Sequence, residues 1–252
     1  MEEQFIVISF FCGRGGSAEI RGKQISKYLG AKLNPSEGYD NDVCVFVKIQ
    51  PPENYPKNSY LDIVDGIERM RWLQNHPDIG VIASSICGFD YLRHILKRDV
   101  VYIPQHHCNY ERLHRENRPI ETVGVVGGQG AIMNDELKCK LDILHTKPKN
   151  RQEAVEAYKK LDIQVIWRLT ANPLKNSLKI VNAASFGIPT VAYPSKAYEE
   201  MDGYYYPVYT VKDMLEMVDK LKTGFNAQRL IDKAEEFHID NIAKAYKEYL
   251  WN

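Results

Sequence analysis

Positively charged side chains are concentrated where a predicted strand is followed by a predicted helix. Lys175 and Lys179 flank Ser177, the predicted N-cap, and Arg168 lies near the end of the strand. Two ammonium groups at a helix N-terminus oppose helix formation, because the unpaired amides and the positive end of the helix dipole are already there. A bound anion offsets that cost, and a guanidinium can bind phosphate with two hydrogen bonds. These residues favour a phosphate or diphosphate site, although both lysines could point into solvent and Arg168 could pair with a carboxylate.

The residues around these cations predict one repeat of a parallel sheet. An apolar strand at 164–169 is followed by a polar loop, and a helix then runs from Ser177 until Gly187 ends it. A second strand is predicted at 190–193. Strand, loop, helix and strand in this order are the unit of an α/β fold with parallel strands.

Two glycine-rich turns each follow a predicted strand, one at 5–11 and one at 123–126. Bare backbone amides let a ligand approach closely, although an ordinary tight turn also uses glycine. The first turn has Gly-x-Gly-Gly rather than Gly-x-Gly-x-x-Gly, so it does not favour dinucleotide binding. The first turn contains Arg14, Gly15, Gly16 and Ser17, and the second contains Gly127 and Gly128.

Two adjacent histidines, His106 and His107, follow a strand predicted at 100–104. Ligands of open α/β sheets lie beyond the carboxyl ends of the strands, where a histidine can act as a general base or donate to an oxyanion. Both are therefore candidate catalytic residues; the alternative is that one is packed and the other meets water. We predict no metal site, because consecutive residues such as His106, His107 and Cys108 rarely converge on one metal.

Composition limits the class of protein. The 252 residues include 33 Lys plus Arg and 33 Asp plus Glu, so net charge does not favour nucleic acid or an anionic membrane, and any anion site must be local. The five cysteines form no Cys-x-x-Cys pair, which is typical of free thiols in a reducing cytoplasm. No apolar run approaches the ~20 residues of a membrane span. We therefore expect a cytoplasmic protein.

The order of elements predicts two Rossmann-like α/β domains. Residues 1–110 alternate strands and helices, including a helix predicted at 61–74. Residues 111–121 are rich in Arg and Glu and read as a linker. Residues 122–252 open with a strand and a glycine turn, as the first domain does, and close with a long helix predicted at 227–251.

The segment KNSLKIVNAASFGIPTVAY resembles the donor-binding segment of GT-B glycosyltransferases, in the form found in families 4 and 1. These share a Lys-x-Ser-x-Lys-Leu-x-Asn/Glu-Ala-x-x-x-Gly-x-Pro pattern. The chain departs from the better-known form with two glutamates eight positions apart, since Leu174 and Asn182 occupy those places. The pattern is matched at Lys175, Ser177, Lys179, Asn182, Ala183, Gly187 and Pro189.

The resemblance implies a compact GT-B fold in which two parallel sheets face a cleft. It implies that the lysine region and Gly127–Gly128 meet the donor diphosphate, and that Asn182 lies near the ribose or base. It places Arg14 to Ser17 on the acceptor side, and it allows the last helix to return to the first domain.

The activity implied is transfer of a sugar from a nucleotide diphosphate to an unknown acceptor. Arg168, Lys175 and Lys179 would replace a metal, and we expect no cofactor. Two alternatives remain open at this point: a nucleotide-sugar epimerase of the same architecture, and a nucleotide- or sugar-binding protein that lacks catalysis.

Overall fold

The computed structural model describes residues 7–115, 118–169 and 171–250, which form two compact units. Neither unit is continuous in the sequence. Unit 1 comprises Met1–His106, Asn172–Asn176 and Ile239–Asn252, and unit 2 comprises His107–Ala171 and Ser177–His238.

The core of unit 1 is a six-stranded sheet in which every pair is parallel. Its strands are β1 (Ile8–Cys12), β2 (Lys32–Leu33), β3 (Val43–Val47), β4 (Ser59–Asp62), β5 (Gly80–Ala83) and β6 (Val101–Tyr102). Their order across the sheet is β2-β1-β3-β4-β5-β6. All five residues of β3 are buried, as the continuous apolar run VCVFV predicts for a central strand of a parallel sheet.

Unit 2 contains a second parallel sheet, with five strands. They are β7 (Val123–Val126), β8 (Leu144–Thr146), β9 (Ile163–Ile166), β10 (Thr190–Ala192) and β11 (Tyr206–Pro207), in the order β11-β10-β9-β7-β8. The predicted class, α/β with two parallel sheets, is confirmed.

Helices connect the strands of both sheets. They are α1 (Gly16–Ala18), α2 (Ile25–Leu29), α3 (Met70–Asn75), α4 (Ile86–Leu96), α5 (Asp135–Lys140), α6 (Arg151–Lys159), α7 (Leu178–Ser185), α8 (Val211–Lys222), α9 (Ala227–Glu235) and α10 (Ile239–Leu250). A π-helical segment, Glu19–Gln24, joins α1 to α2. Within the described residues, no helix has the length and apolar character needed to cross a membrane.

The helix predicted at 61–74 is wrong in its first half. Leu61 lies in β4, and a 3₁₀ turn at Ile67–Arg69 precedes the short helix α3. Leu61, Ile63 and Val64 are all buried. A strand covered on both faces shows apolar residues without a period of two, and here the pattern coincided with helical spacing.

The helix predicted at 227–251 is two helices. The chain leaves α9 at Glu235, and Phe237 is buried before α10 begins at Ile239. The break also divides the units, because α9 belongs to unit 2 and α10 to unit 1. In unit 1, the Tyr246 ring of α10 packs edge-on against Phe10 of β1, with 5.5 Å between ring centroids.

The segment after His107, part of which reads as a linker in the sequence, packs within unit 2. Arg115 Nε donates to Oδ1 of buried Asp162 at 2.9 Å. Arg151 forms a two-nitrogen contact with the Glu111 carboxylate at 2.7 and 2.9 Å. These pairs attach Glu111 and Arg115 to unit 2, while residues 116 and 117 of the predicted linker lie outside the described residues.

Candidate functional site

The glycine turn of unit 2 is covered by the side chain of Lys179. Gly127 follows β7 with φ 139°, and a methyl group placed on its Cα would lie 2.6 Å from Cε and 3.3 Å from Nζ of Lys179. A side chain at this position would displace the end of the Lys179 side chain, and the φ of 139° itself favours glycine. The structure thus brings together two residues that lie 52 positions apart in the sequence and that were both assigned to phosphate binding.

Helix α7 is fixed to the sheet next to this turn. Gln164 is a buried residue of β9, and its side-chain Nε2 donates to the Lys179 carbonyl at 2.9 Å. Ser177 is the N-cap residue, as predicted, and is buried, but its hydroxyl makes no capping hydrogen bond. The position of Lys179 is therefore set by the buried Gln164 contact.

Arg168 lies close in the sheet to the same turn. The backbone of Trp167 pairs with the segment after Gly128: its N–H donates to Ala131 at 2.9 Å, and its carbonyl accepts from Met133 at 2.7 Å. Arg168 follows directly and is half-buried. Burial raises the pKa of Tyr198, and the positive charge of Arg168 acts against that rise, so the guanidinium lies within electrostatic range of this phenol.

A cavity of about 520 Å³ adjoins the glycine turn. His145, which follows Leu144 in β8, lines the cavity and donates from Nε2 to the Gly127 carbonyl at 3.1 Å. Neither β8 nor His145 was predicted, because the residue pattern at 134–144 is typical of one helix, whereas the structure forms only α5 there and begins β8 at Leu144. The lining is formed by Val125, Ile132, Lys138, Leu141, Asp142, Ile143 and His145.

Asn182 makes structural contacts within unit 2. Its Oδ1 accepts from the Cys108 N–H at 2.8 Å, and its side chain lies near the buried Tyr158 hydroxyl. Burial raises the pKa of Tyr158 well above its usual value, so this phenol is neutral. A contact between Asn182 and a ribose or base stays a prediction.

Lys175 belongs to unit 1, not to the unit that carries Lys179. Its Nζ lies 2.9 Å from Oδ1 of Asp65, a residue in the part of the predicted helix at 61–74 that is not helical. Ser17 also contacts Asp65, with 3.3 Å between its Oγ and Oδ2. The predicted phosphate cluster is therefore divided between the units, and Lys175 is grouped instead with the turn assigned to the acceptor.

The rest of that turn is open. Arg14, Gly15 and Gly16 are exposed, and a methyl group on either glycine would have no neighbour within 4 Å. Gly15 has φ 116°, a conformation that favours glycine.

His106 and His107 are both buried, at 1% and 2% exposure. In unit 1, His106 donates from Nε2 to the Ile20 carbonyl at 2.9 Å. In unit 2, His107 accepts at Nδ1 from the Asn109 N–H at 3.2 Å, and its ring packs edge-on against His238. These contacts support a structural role for both rings, and their catalytic role stays a prediction.

Replacing His107 with alanine distinguishes the two roles. We expect a free energy of unfolding lower by about 1–3 kcal/mol, because the Asn109 amide loses its partner. Urea unfolding measures this loss. A turnover number that falls at unchanged stability would instead identify His107 as a base.

The sequence contains one Asp-x-Asp triplet, at Asp40 and Asp42, a spacing that can hold a divalent cation. Asp42 is buried, and its Oδ2 accepts from Ser9 Oγ at 2.6 Å and Lys32 Nζ at 2.8 Å. This carboxylate therefore has protein partners that account for its burial.

No protein-family model and no curated protein sequence matches the chain. Solved structures do match it. HepE from Anabaena, in complex with UDP and glucose, aligns with a TM-score of 0.68 at 13% identity, over 98% of this chain and all of that one. A glycosyltransferase from Rickettsia africae aligns with a TM-score of 0.68 at 9% identity, over 98% of each chain. AviGT4, a glycosyltransferase of avilamycin A biosynthesis, gives 0.63 at 11% identity, over 97% of each.

The chain has the GT-B fold. At these identities the likeness establishes the fold alone, and the narrower resemblance to families 4 and 1 receives no support from it. Against longer structures the chain covers less: it spans 60% of the chain matched in the GtfA/B complex and 54% of TarM. Against HepE, the Rickettsia enzyme and AviGT4, the GT-B alignment covers nearly the whole of both chains.

Proposed function

We propose that this protein is a glycosyltransferase that uses a nucleotide-diphosphate sugar as its donor. The observation that carries the proposal is Lys179 lying over Gly127, at the carboxyl end of β7 in the sheet of unit 2. Parallel α/β sheets bind their ligands at this end, and glycine lets a phosphate come close to the backbone. The solved complexes of HepE with UDP-glucose and with UDP and glucose support a donor of the same kind.

In this proposal the cations stabilise the leaving group. The bond between the anomeric carbon and the diphosphate oxygen breaks, a bond to the acceptor oxygen forms, and the acceptor hydroxyl gives its proton to water. Negative charge grows on the departing diphosphate, where Lys179 and Arg168 are positioned to balance it. We include metal independence in the proposal, because these two cations would balance the charge on the diphosphate without a metal ion.

The nucleobase would lie in the cavity beside the glycine turn. The volume of this cavity, about 520 Å³, falls within the range of small-molecule sites. Val125, Ile132, Leu141 and Ile143 offer apolar contact to a flat ring, while His145 and Asp142 offer hydrogen bonds. A mixture of this kind is typical of pockets that orient a ligand by a few polar groups.

Two glycines of the unit 2 turn provide a matched test. Gly127→Ala puts a methyl group where the Lys179 stem lies, at a φ that alanine avoids, so we expect nucleotide-diphosphate affinity to fall by about tenfold or more. Gly130→Ala is the control, since Gly130 is exposed in the same turn, was not assigned to the phosphate site and has no atom within 4 Å of the new methyl group. Calorimetry with UDP, GDP, ADP and CMP measures both variants. An affinity of the Gly127→Ala variant equal to that of the unmodified protein would remove the turn from the site.

One observation favours a second candidate, a binding protein without catalysis. Leu174, in the place of a glutamate of the resembled pattern, is buried at 2% in the core of unit 1. Assays with nucleotide-diphosphate sugars distinguish the two: transfer or donor hydrolysis supports the enzyme, and binding without either supports the binding protein. Formation of an epimeric nucleotide sugar would instead identify an epimerase.

A further inference from the structure

We propose that unit 1 binds the anionic group of a phosphorylated or carboxylated acceptor, through Lys48 and Lys175 at Asp65 and through Arg14 of the neighbouring turn, whose Ser17 also contacts Asp65. The proposal rests on the proposed function and specifies its acceptor. The residues are contributed by the turn after β1, the ends of β3 and β4, and the segment 172–176, all of which belong to unit 1.

Two lysines share one carboxylate in this cluster. Lys175 Nζ lies 2.9 Å from Asp65 Oδ1, and Lys48 Nζ lies 4.0 Å from Asp65 Oδ2. The Lys175 side chain is only 27% exposed, that of Lys48 is 36% exposed and that of Asp65 is 21% exposed. One carboxylate balances only one of the two ammonium groups. Because partial burial weakens solvent screening, the remaining positive charge acts strongly on an anion at this place.

Backbone contacts hold the cluster in place. Asn172 Nδ2 donates to the Asp65 carbonyl at 3.3 Å, and the Asp65 N–H donates to the Leu174 carbonyl at 3.3 Å. Leu174 is buried in the unit 1 core. Lys175 is therefore fixed at its base by a core residue on one side, which lowers the entropy lost when its ammonium binds a ligand.

The backbone is strained at the same place. Lys48 has φ 55° and Asp65 has φ 59°, at the carboxyl ends of two adjacent strands. A lysine in the left-handed region is uncommon, and strained residues are concentrated at ligand sites. Here the positive φ of Lys48 accompanies its approach to Asp65, at the carboxyl end of the sheet where ligands bind.

Excess positive charge and open space favour an oxyanion. Arg14, exposed and three positions before Ser17, adds a third cation beside the open turn at Gly15 and Gly16. A phosphate or carboxylate can accept hydrogen bonds from several of these groups at once. We assign the anion to the acceptor because the donor diphosphate already has Gly127 and Lys179 in unit 2.

The test measures binding of glucose, glucose 6-phosphate and glucuronate to the whole protein saturated with UDP, by calorimetry. We expect the two charged sugars to bind at least tenfold more tightly than glucose, and Lys175→Ala and Lys48→Ala to remove most of that difference. The control is Lys57→Ala, an exposed lysine of the same unit.

A further variant separates binding from folding. Lys48→Gly relieves the positive φ, so we expect an equal or higher Tm together with the same loss of charged-sugar binding. Equal affinity for neutral and charged sugars would overturn the proposal. So would a fall in UDP affinity in the lysine variants, which would place the donor diphosphate here. Absence of UDP binding to the unmodified protein would refute the proposed donor site, while glucose 6-phosphate titrated alone would still test this cluster.

Discussion

Replacing Arg21 with alanine is expected to lower the free energy of unfolding by about 3–5 kcal/mol, because the change leaves the Asp62 carboxylate buried without its charged partner. Arg21 is 1% exposed and Asp62 is fully buried, with 2.6 Å between Nε and Oδ2. The Tyr246 hydroxyl donates to the same oxygen at 3.1 Å. Urea unfolding followed by circular dichroism measures the loss.

Two comparisons make this expectation specific. Arg71→Ala removes an exposed arginine of the same unit and should change stability by less than about 0.5 kcal/mol. Arg21→Met combined with Asp62→Leu removes both charges and should recover much of the loss, since apolar residues can replace a buried ion pair. If Arg21→Ala unfolds like Arg71→Ala, the buried pair does not stabilise unit 1.

Replacing Lys179 with alanine is expected to weaken nucleotide-diphosphate binding by about 10- to 100-fold, the range for loss of a hydrogen bond to a charged group. The ammonium lies over the glycine turn, whereas the backbone of Lys179 is held by Gln164. The fold should therefore survive the substitution. Calorimetric titration with UDP measures the affinity, and thermal unfolding confirms that the variant is folded.

The matched variants for Lys179 separate charge from packing. Lys179→Met keeps most of the stem over Gly127 and removes the charge, so it should bind as weakly as Lys179→Ala. Lys220→Ala, on the exposed face of α8, should bind like the unmodified protein. Higher salt should reduce the difference, because screening weakens the contact. Unchanged affinity in Lys179→Met would remove the charge from the site.

Local signals predicted much of the fold. The sequence predicts a helix at 211–222, which are the bounds of α8, and Thr210 and Asp213 form a reciprocal capping box at its start. The glycine turns follow β1 and β7 as predicted. Strand β4 was missed because a short strand buried on both faces has no period of its own.

The division of the lysines could not be predicted from the sequence. Residues 163–194 form one uninterrupted α/β pattern, yet the five residues 172–176 pack in unit 1. Leu174 is responsible, since it is buried among core residues that lie more than 70 positions earlier in the chain. Burial of His106 and His107 is likewise a consequence of distant partners such as Ile20 and Phe237. The spacing of residues along the sequence does not indicate which distant residues will bury a given side chain.

The polypeptide passes from one unit to the other four times, next to residues 106, 171, 176 and 238. A chimaera that exchanges the first hundred residues for those of another protein would therefore receive an incomplete unit. It would also need a matching α10, which supplies the Tyr246 hydroxyl that donates to the buried Asp62 carboxylate, and a matching leucine at 174. If unit 1 binds the acceptor, as we propose, transfer of its specificity by recombination requires three coordinated pieces of gene, whereas point changes around the turn after β1 leave all three pieces in place.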